Sequence, residues 1–150
     1  HSREPYMDMV IPSMVDPTMA PAGKHVMSIF CAYAPYDLAE GTWDDHRESF
    51  GDAVINTLAQ HAPNLKDILL HRQVFTPWDM EQRMGLTQGN IFHGELSLEQ
   101  LFFLRPVPGY ADFTTPVRNL YMCGSGCHPG GGVMGAPGKL AADKILANSR

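Results

Sequence analysis

The stretch that decides the fold lies near the C-terminus and reads NLYMCGSGCHPGGGVMG, residues 119–135. Asn119 to Cys123 predicts a strand, and a helix is predicted from the last glycines to about Ala147. Three glycines fit the GxGxxG spacing, in which the backbone approaches a ligand and a helix N-terminus attracts an anion: Gly130, Gly132 and Gly135. Taken alone, this spacing fits equally well a glycine turn that binds no ligand.

The usual dinucleotide-binding interpretation of that spacing fails a test of length. A Rossmann unit needs a second strand after the helix and an acidic residue about 20 positions further on. Only Lys139 to Arg150 follow Gly138, which is barely enough to finish the helix. We therefore expect this stretch to be the last strand and helix of a fold whose other strands lie elsewhere.

Three segments upstream have the pattern of extended structure. Met7 to Pro12 is short and apolar-rich, and turn residues follow it. His25 to Tyr33 is an almost unbroken apolar run, which is typical of a strand that is covered on both faces and central in its sheet. In the third segment, Asp67 to Phe75, alternate apolar residues predict one buried side: Ile68, Leu70 and Val74.

Two helices are predicted between and after these segments. Thr42 followed by Asp45 is the pattern of a capping box. The apolar stripe of the helix that starts there and runs to about His61 consists of Phe50, Val54 and Leu58. The second helix begins at Thr76-Pro77-Trp78-Asp79 and ends near Gly85.

The segment from Gln88 to Pro108 is the hardest to interpret. Ser97 to Gln100 predicts a short helix that ends before Pro106. The segment is too apolar for an exposed loop, so we expect these residues to pack against something: Phe92, Leu96, Leu98, Leu101, Phe102 and Phe103. Because strands come before the first helix, the order of elements favours an α+β fold over a regular βαβ alternation.

Composition excludes several classes of protein. Eleven basic against sixteen acidic residues give a net charge of −5, so the chain lacks the basic surface that nucleic acid or an anionic membrane selects. No apolar run approaches the ~20 residues of a transmembrane helix, and His1 to Glu4 does not resemble a signal peptide. An odd number of cysteines without a CxxC pair favours a reducing compartment such as the cytoplasm: Cys31, Cys123 and Cys127.

Residues 119–126 and 128–135 together resemble the C-terminal flavin motif of phytoene-desaturase-like FAD-dependent oxidoreductases. The resemblance is closest to the branch of pyridine nucleotide-disulfide oxidoreductase domain-containing proteins. Upstream segments agree with the family in the same order: Pro12-Ser13, Asp16-Pro17, Ala20-Pro21, Gly23-Lys24-His25, Tyr33-Ala34-Pro35, Leu70 to Pro77, and Gly89 to Gly94 through Gln100 to Arg105-Pro106. The resemblance therefore covers nearly the whole chain and is more specific than the glycine spacing.

This resemblance implies that the chain is a C-terminal fragment, because members of the family it resembles are expected to be about three times longer. In them a separate N-terminal GxGxxG, absent here, holds the ADP part of FAD. The implied architecture is α+β: residues 1–108 are part of the substrate-binding domain, a mixed sheet with helices, and residues 109–150 are the terminal strand, turn and helix of the FAD-binding domain. We expect the chain to bind FAD weakly or not at all by itself.

The resemblance also suggests a role for each matching position. Gly124 and Ser125 are expected near the FAD diphosphate and ribityl region. The backbone of Gly131, Gly132, Val133 and Met134 is expected to face the isoalloxazine, whose negative charge in the reduced state a helix N-terminus stabilises. His93 and Arg105 are candidates for the substrate side of the flavin. For Arg105 a structural salt bridge is an equally good interpretation.

Other chemistry is not favoured by the residue pattern. Cys123, Cys127 and His128 do not have zinc spacing, so we predict no metal site, and a Cys123–Cys127 dithiol is equally weak. Cys123 is instead expected to be a buried strand thiol, and Cys127, where this sequence departs from the family, a small residue in the turn.

The leading functional hypothesis is an oxidoreductase that oxidises or desaturates a small apolar organic substrate by passing hydride or electrons to flavin. No catalytic acid or base is assigned, since flavin chemistry needs no protein nucleophile. The partner implied is the missing N-terminal FAD-binding part, without nucleic acid or a membrane-spanning segment. One alternative is a non-enzymatic binding module that self-associates through exposed apolar surface. Another is a stand-alone nucleotide-binding protein that uses the turn at 130–135.

Overall fold

The structure is a computed structural model that describes residues 1–94 and 96–149. Residue 95 of the segment 88–108 and residue 150 of the second predicted domain lie outside the described residues. The chain divides into two compact units, His1–Asp79 and Met80–Arg150. These units do not test the predicted domain limit between residues 108 and 109, which stays a prediction.

The first unit contains a two-stranded antiparallel sheet. Strand β1 is Met7–Val10 and strand β2 is Ser28–Cys31, and they pair with Met7 opposite Cys31 and Val10 opposite Ser28. The extended structure predicted at both places is therefore confirmed. The prediction of a central strand covered on both faces is wrong, because β2 pairs only with β1 among the described residues and Phe30 remains 51% exposed.

Helix α1, Trp43–Ala59, supplies most of the core of the first unit. Its capping box is present as predicted: the Thr42 hydroxyl accepts from the Asp45 amide, and the Asp45 carboxylate accepts from the Thr42 amide. The predicted apolar stripe is buried. Trp43 and Phe50 pack edge to face at 5.4 Å, and β1, β2 and Val74 contribute partly buried side chains to this cluster.

The segment after α1 differs from its prediction. Helix α2, Leu65–Ile68, occupies the start of the expected extended run, and residues 69–76 form no ladder among the described residues. Ile68 and Leu70 are exposed, whereas Val74 packs against the core. The alternation in the sequence was correct only at Val74, because a strand pattern yields a strand only where a neighbouring strand supplies hydrogen-bond partners.

Helix α3, Pro77–Met84, begins and ends where the sequence predicts. Asp79 accepts hydrogen bonds from the amide and hydroxyl of Thr76, at 2.9 and 2.7 Å, and so closes the first turn. Arg47 of α1 binds both oxygens of the same carboxylate and donates to the Val74 carbonyl at 3.1 Å. This buried ion pair ties the start of α3 to α1.

The second unit is built from short turns and one long helix. Single-turn 3₁₀ helices lie at Thr87–Gly89, Leu98–Gln100 and Phe102–Leu104, and helix α4 is Ala136–Asn148. The short helix predicted near residue 98 and the terminal helix are thus confirmed. The core of this unit is small and consists of Phe113, Cys127 and Ala141.

Two predictions for the second unit are wrong. Asn119 to Cys123 is not a strand, since the only pairing there among the described residues is an isolated antiparallel bridge between Thr114 and Tyr121. The apolar segment expected to be packed is largely exposed: Phe92, Leu96, Leu98, Phe102 and Phe103. Both results have one physical cause: a strand and an apolar segment need a neighbouring element along their whole length, and among the described residues only the bridge and the hydrogen bond from the Met122 amide to the Phe113 carbonyl pair the backbone of residues 119–123 with a segment beyond its own turn.

The fold as a whole is a small mixture of helices with a two-stranded sheet, which is compatible with the predicted α+β class. Among the described residues, every helix is too short or too polar to span a bilayer.

Candidate functional site

The glycine turn, residues 124–135, has a backbone that side chains would strain. Gly124 has φ +96° and Gly132 has φ +121°, a region that residues with a Cβ rarely adopt. Among the described residues, a Cβ on Gly124 would meet nothing within 4 Å, and one on Gly132 would make only an ordinary contact with Met134. The space beside both glycines is therefore open, so a ligand is able to approach the main chain closely.

The turn leads directly into the start of α4. Gly135 is the N-cap in the left-handed conformation, without a side-chain cap, and Pro137 lies in the first turn. The first turn contains no acidic residue, so no carboxylate there competes with an anion for the partial positive charge of the helix end. Val133 is fully exposed and Met134 half exposed.

Ser125 is the residue around which the predicted site residues meet. Its hydroxyl is hydrogen-bonded to Nε2 of His93, and its backbone carbonyl accepts from Nη2 of Arg105 at 3.1 Å. A Cβ on Gly131 would lie 3.3 Å from the Ser125 Cβ, so these two residues of the glycine turn lie close together. The structure thus brings together four of the predicted residues: His93, Arg105, Ser125 and Gly131.

Arg105 is buried, with 4% of its surface exposed. Its Nη2 donates to the carbonyls of Phe92 and Ser125, and its Nη1 makes a longer contact of 3.5 Å with the Gln100 carbonyl. Among the described residues, its Nε has no hydrogen-bond partner. The alternative of a structural salt bridge is not found within residues 1–94 and 96–149; the guanidinium binds main-chain carbonyls instead.

The structure contradicts one of the two cysteine predictions in this region. Cys123, expected to be a buried strand thiol, is exposed. Cys127 lies in the turn as expected, and it is almost fully buried in the cluster with Phe113 and Ala141. Burial raises the pKa of the Cys127 thiol, which keeps it protonated and unreactive. Within the described residues the cysteines are all free, and no three His, Cys, Asp or Glu side chains form a metal-binding group.

Sequence reasoning missed the main-chain acceptors of this site. The carbonyls of Phe92, Gln100 and Ser125 bind Arg105, but a backbone carbonyl has the same chemistry at every residue and leaves no signal in the sequence. The ring contact between Phe102 and His128, with centroids 6.2 Å apart, was missed for a related reason, since the two residues are distant along the chain.

The comparisons with known proteins agree with the resemblance found in the sequence. No family model matches the chain. It is 50% identical over 147 residues to the rat protein named pyridine nucleotide-disulfide oxidoreductase domain-containing protein 2. It is 29% identical over 132 residues to a lycopene-forming phytoene desaturase of Paracoccus sp., and 30% identical over 137 residues to one component of the limonene dehydrogenase of Castellaniella defragrans.

These similarities extend over 97%, 87% and 87% of this chain, but over only 25%, 26% and 25% of the three relatives. The predicted resemblance to this group of oxidoreductases is confirmed. The chain spans about a quarter of the length of the curated relatives it matches.

Proposed function

We propose that the chain is the C-terminal part of an FAD-dependent oxidoreductase of the phytoene-desaturase-like type. The similarity to oxidoreductases over nearly the whole chain supports this proposal. Two relatives are named for the desaturation of phytoene and the dehydrogenation of limonene, which supports a small apolar substrate. Action in the cytoplasm, inferred from the cysteines, stays a prediction.

The glycine turn is the observation that carries the proposal, because its residues fit FAD. The main chain at Gly124 and Gly132 has free space beside it that would allow a ligand to approach closely, and the first turn of α4 offers amide hydrogens and contains no carboxylate. The residues that would hold the cofactor are Gly124, Ser125, Gly131, Gly132, Val133 and Met134. FAD, when bound, supplies the ability to take up and release electrons at its isoalloxazine ring.

The protein's own contribution at this turn is electrostatic and steric. The N-terminus of α4 carries a partial positive charge of about half an elementary charge, and it stabilises negative charge within the first turn. The side chains of Val133 and Met134 are exposed beside it, where they would shield a bound group from water. His93 and Arg105 remain proposed for the substrate side of the cofactor, next to Ser125.

Replacing Gly132 by Val is expected to lower flavin retention strongly in the full-length protein of which this chain is a part. Valine at φ +121° is strained by about 1–3 kcal/mol and places a branched side chain in the open space, so affinity should fall at least about tenfold. The measurement is the ratio of flavin to protein absorbance after purification and dialysis.

Gly109→Val is the matched control for that variant. Gly109 also has a positive φ, +89°, and open space around it, but it lies outside the glycine turn, so its flavin ratio should match the wild type. Equal flavin content in Gly132→Val and wild type would refute the role of the turn. The 150-residue chain alone should purify without a flavin spectrum; a yellow preparation would contradict the need for the remaining part.

Self-association is a second candidate function of the isolated chain. Its support is the row of exposed apolar side chains between residues 91 and 107, among which Leu98, Phe102 and Phe103 are each more than half exposed. Light scattering over a range of concentrations is expected to show dimers or larger species, and a Phe103→Ser variant should shift them toward monomer. A monomer at all concentrations would argue against this function.

A further inference from the structure

The guanidinium of Arg105 connects two loops that are far apart in the sequence. Its Nη2 donates to the carbonyls of both Phe92 and Ser125, the latter at 3.1 Å. The same two loops are joined again where His93 binds the Ser125 hydroxyl. Arg105 is 4% exposed, so water does not compete for these hydrogen bonds as it would at the surface.

Arginine is suited to this position by its geometry as well as by its charge. Its five N–H donors lie in one plane and in fixed directions, so two carbonyls from different loops are held at a defined angle. Lysine carries the same charge on a single rotatable ammonium and does not impose that angle. A methionine fills similar space without donating any hydrogen bond.

The hydrogen bond to the Ser125 carbonyl also determines where the next amide points. In a planar trans peptide the C=O and the following N–H point in opposite directions. With the Ser125 carbonyl directed at Arg105, the Gly126 N–H is directed away from it, and within the described residues this N–H donates to no carbonyl or side chain. Among the described residues, a Cβ on Gly126 would meet nothing within 4 Å, so there is free space beside this residue.

We infer that Arg105 is a positioning residue: by binding the carbonyls of Phe92 and Ser125 it holds the peptide of Ser125 and Gly126 with its N–H presented to an anionic group at the glycine turn. The identity of that group as part of FAD rests on the proposed function. The restraint on the turn does not, and it is measurable in this chain without any ligand.

Backbone order at Gly126 tests the restraint directly. In the 150-residue chain, the ¹⁵N order parameter of Gly126 should be about 0.85 in the wild type and fall below about 0.6 in Arg105→Met. Arg118→Met, a change of the same kind at an exposed arginine of the same unit, should leave it unchanged. Arg105→Lys should resemble Arg105→Met at Gly126, because charge without the planar fork does not hold both carbonyls.

The ¹⁵N order parameters of the α4 amides show whether a variant loosens only the glycine turn or unfolds the second unit. If Arg105→Met disorders α4 as well, Arg105→Lys is used instead to test the restraint, because it keeps the charge and the aliphatic chain. A Gly126 order parameter that stays at its wild-type value in Arg105→Lys overturns the inference, as does one that is already low in the wild type. A fall confined to residues 92–93 and 124–127 supports it.

Whether the group at the turn belongs to FAD is tested separately, by measuring the flavin-to-protein ratio of the full-length protein. Arg105→Met should lower this ratio severalfold, whereas Arg118→Met should not. If the turn loosens in the chain but wild-type full-length protein holds no flavin, the proposed function fails and the restraint stands. If the wild type holds flavin and Arg105→Met leaves both the order and the flavin ratio unchanged, the restraint fails and the proposed function stands.

Discussion

The Phe50→Ala variant is expected to lose about 3–5 kcal/mol of the free energy of unfolding. Phe50 is 4% exposed in the centre of α1 and packs against Trp43 with ring centroids 5.4 Å apart. Removing the ring deletes buried apolar surface and leaves a cavity, since Trp43 is held in place by hydrogen bonds from its Nε1 to the carbonyls of Pro35 and Tyr36, both at 3.1 Å. The measurement is urea unfolding followed by tryptophan fluorescence.

Two companion variants show whether the loss comes from the cavity. Phe50→Leu keeps most of the apolar volume and should cost less than about 1.5 kcal/mol. Asn56→Ala changes an exposed position of the same helix and should cost nothing measurable, because alanine is the better helix former. A loss in Phe50→Ala no larger than that in Phe50→Leu would show that this cluster is not the core of the first unit.

Arg47→Met should cost about 3 kcal/mol at pH 7, because it leaves the carboxylate of Asp79 buried without its partner. Only 8% of the Asp79 side chain is exposed, and Arg47 binds both of its oxygens. The hydrogen bonds from Arg47 lower the pKa of Asp79 from 3.8 to about 2, with Thr76 adding to the effect.

The lowered pKa also predicts how acid destabilises the wild type. The folded pKa of Asp79 lies below the unfolded value, so its contribution is present above about pH 4 and is lost as pH falls through about 2. The total is about 2 kcal/mol. In Arg47→Met this part of the pH profile, measured by urea unfolding between pH 7 and pH 2, should become flatter.

Arg72→Met is the matched control for the ion pair. Arg72 binds Glu48 and Asp52, each at 2.6 Å, but both carboxylates are largely exposed, and exposed pairs contribute no more than about 1 kcal/mol. Arg72→Met should therefore lose less free energy of unfolding than Arg47→Met, and its stability between about pH 4 and pH 2 should fall as steeply as that of the wild type. Equal losses in the two variants would mean that the burial of Asp79 is without consequence.

The helices were predictable because their signals are local. The capping box of Thr42 and Asp45, the start of α3 at Thr76 and the glycines before α4 each lie within one turn of the helix they begin. The apolar stripe of α1 is likewise a property of 3.6-residue spacing and needs no knowledge of its partners.

The strands were less predictable because a strand is completed by another part of the chain. Ser28 to Cys31 pairs with β1, whereas Asn119 to Cys123 has the same apolar character but forms only a single bridge. An apolar run indicates that a segment favours burial, but it does not identify the part of the protein that will cover it. The exposure of Phe102 and Phe103 could not be predicted for the same reason.

In the candidate site, too, some features follow from the sequence and others only from the tertiary structure. By itself the sequence determined where the backbone needs glycine, where each helix begins, and which oxidoreductases the chain resembles, because these depend on residue type and short spacing. Only the tertiary structure decided that Arg105 is buried against the carbonyls of Phe92 and Ser125, that Cys127 lies in a core, and that His93 meets Ser125. Those contacts join residues up to 32 positions apart, and main-chain carbonyls, which are identical at every position, provide much of the bonding.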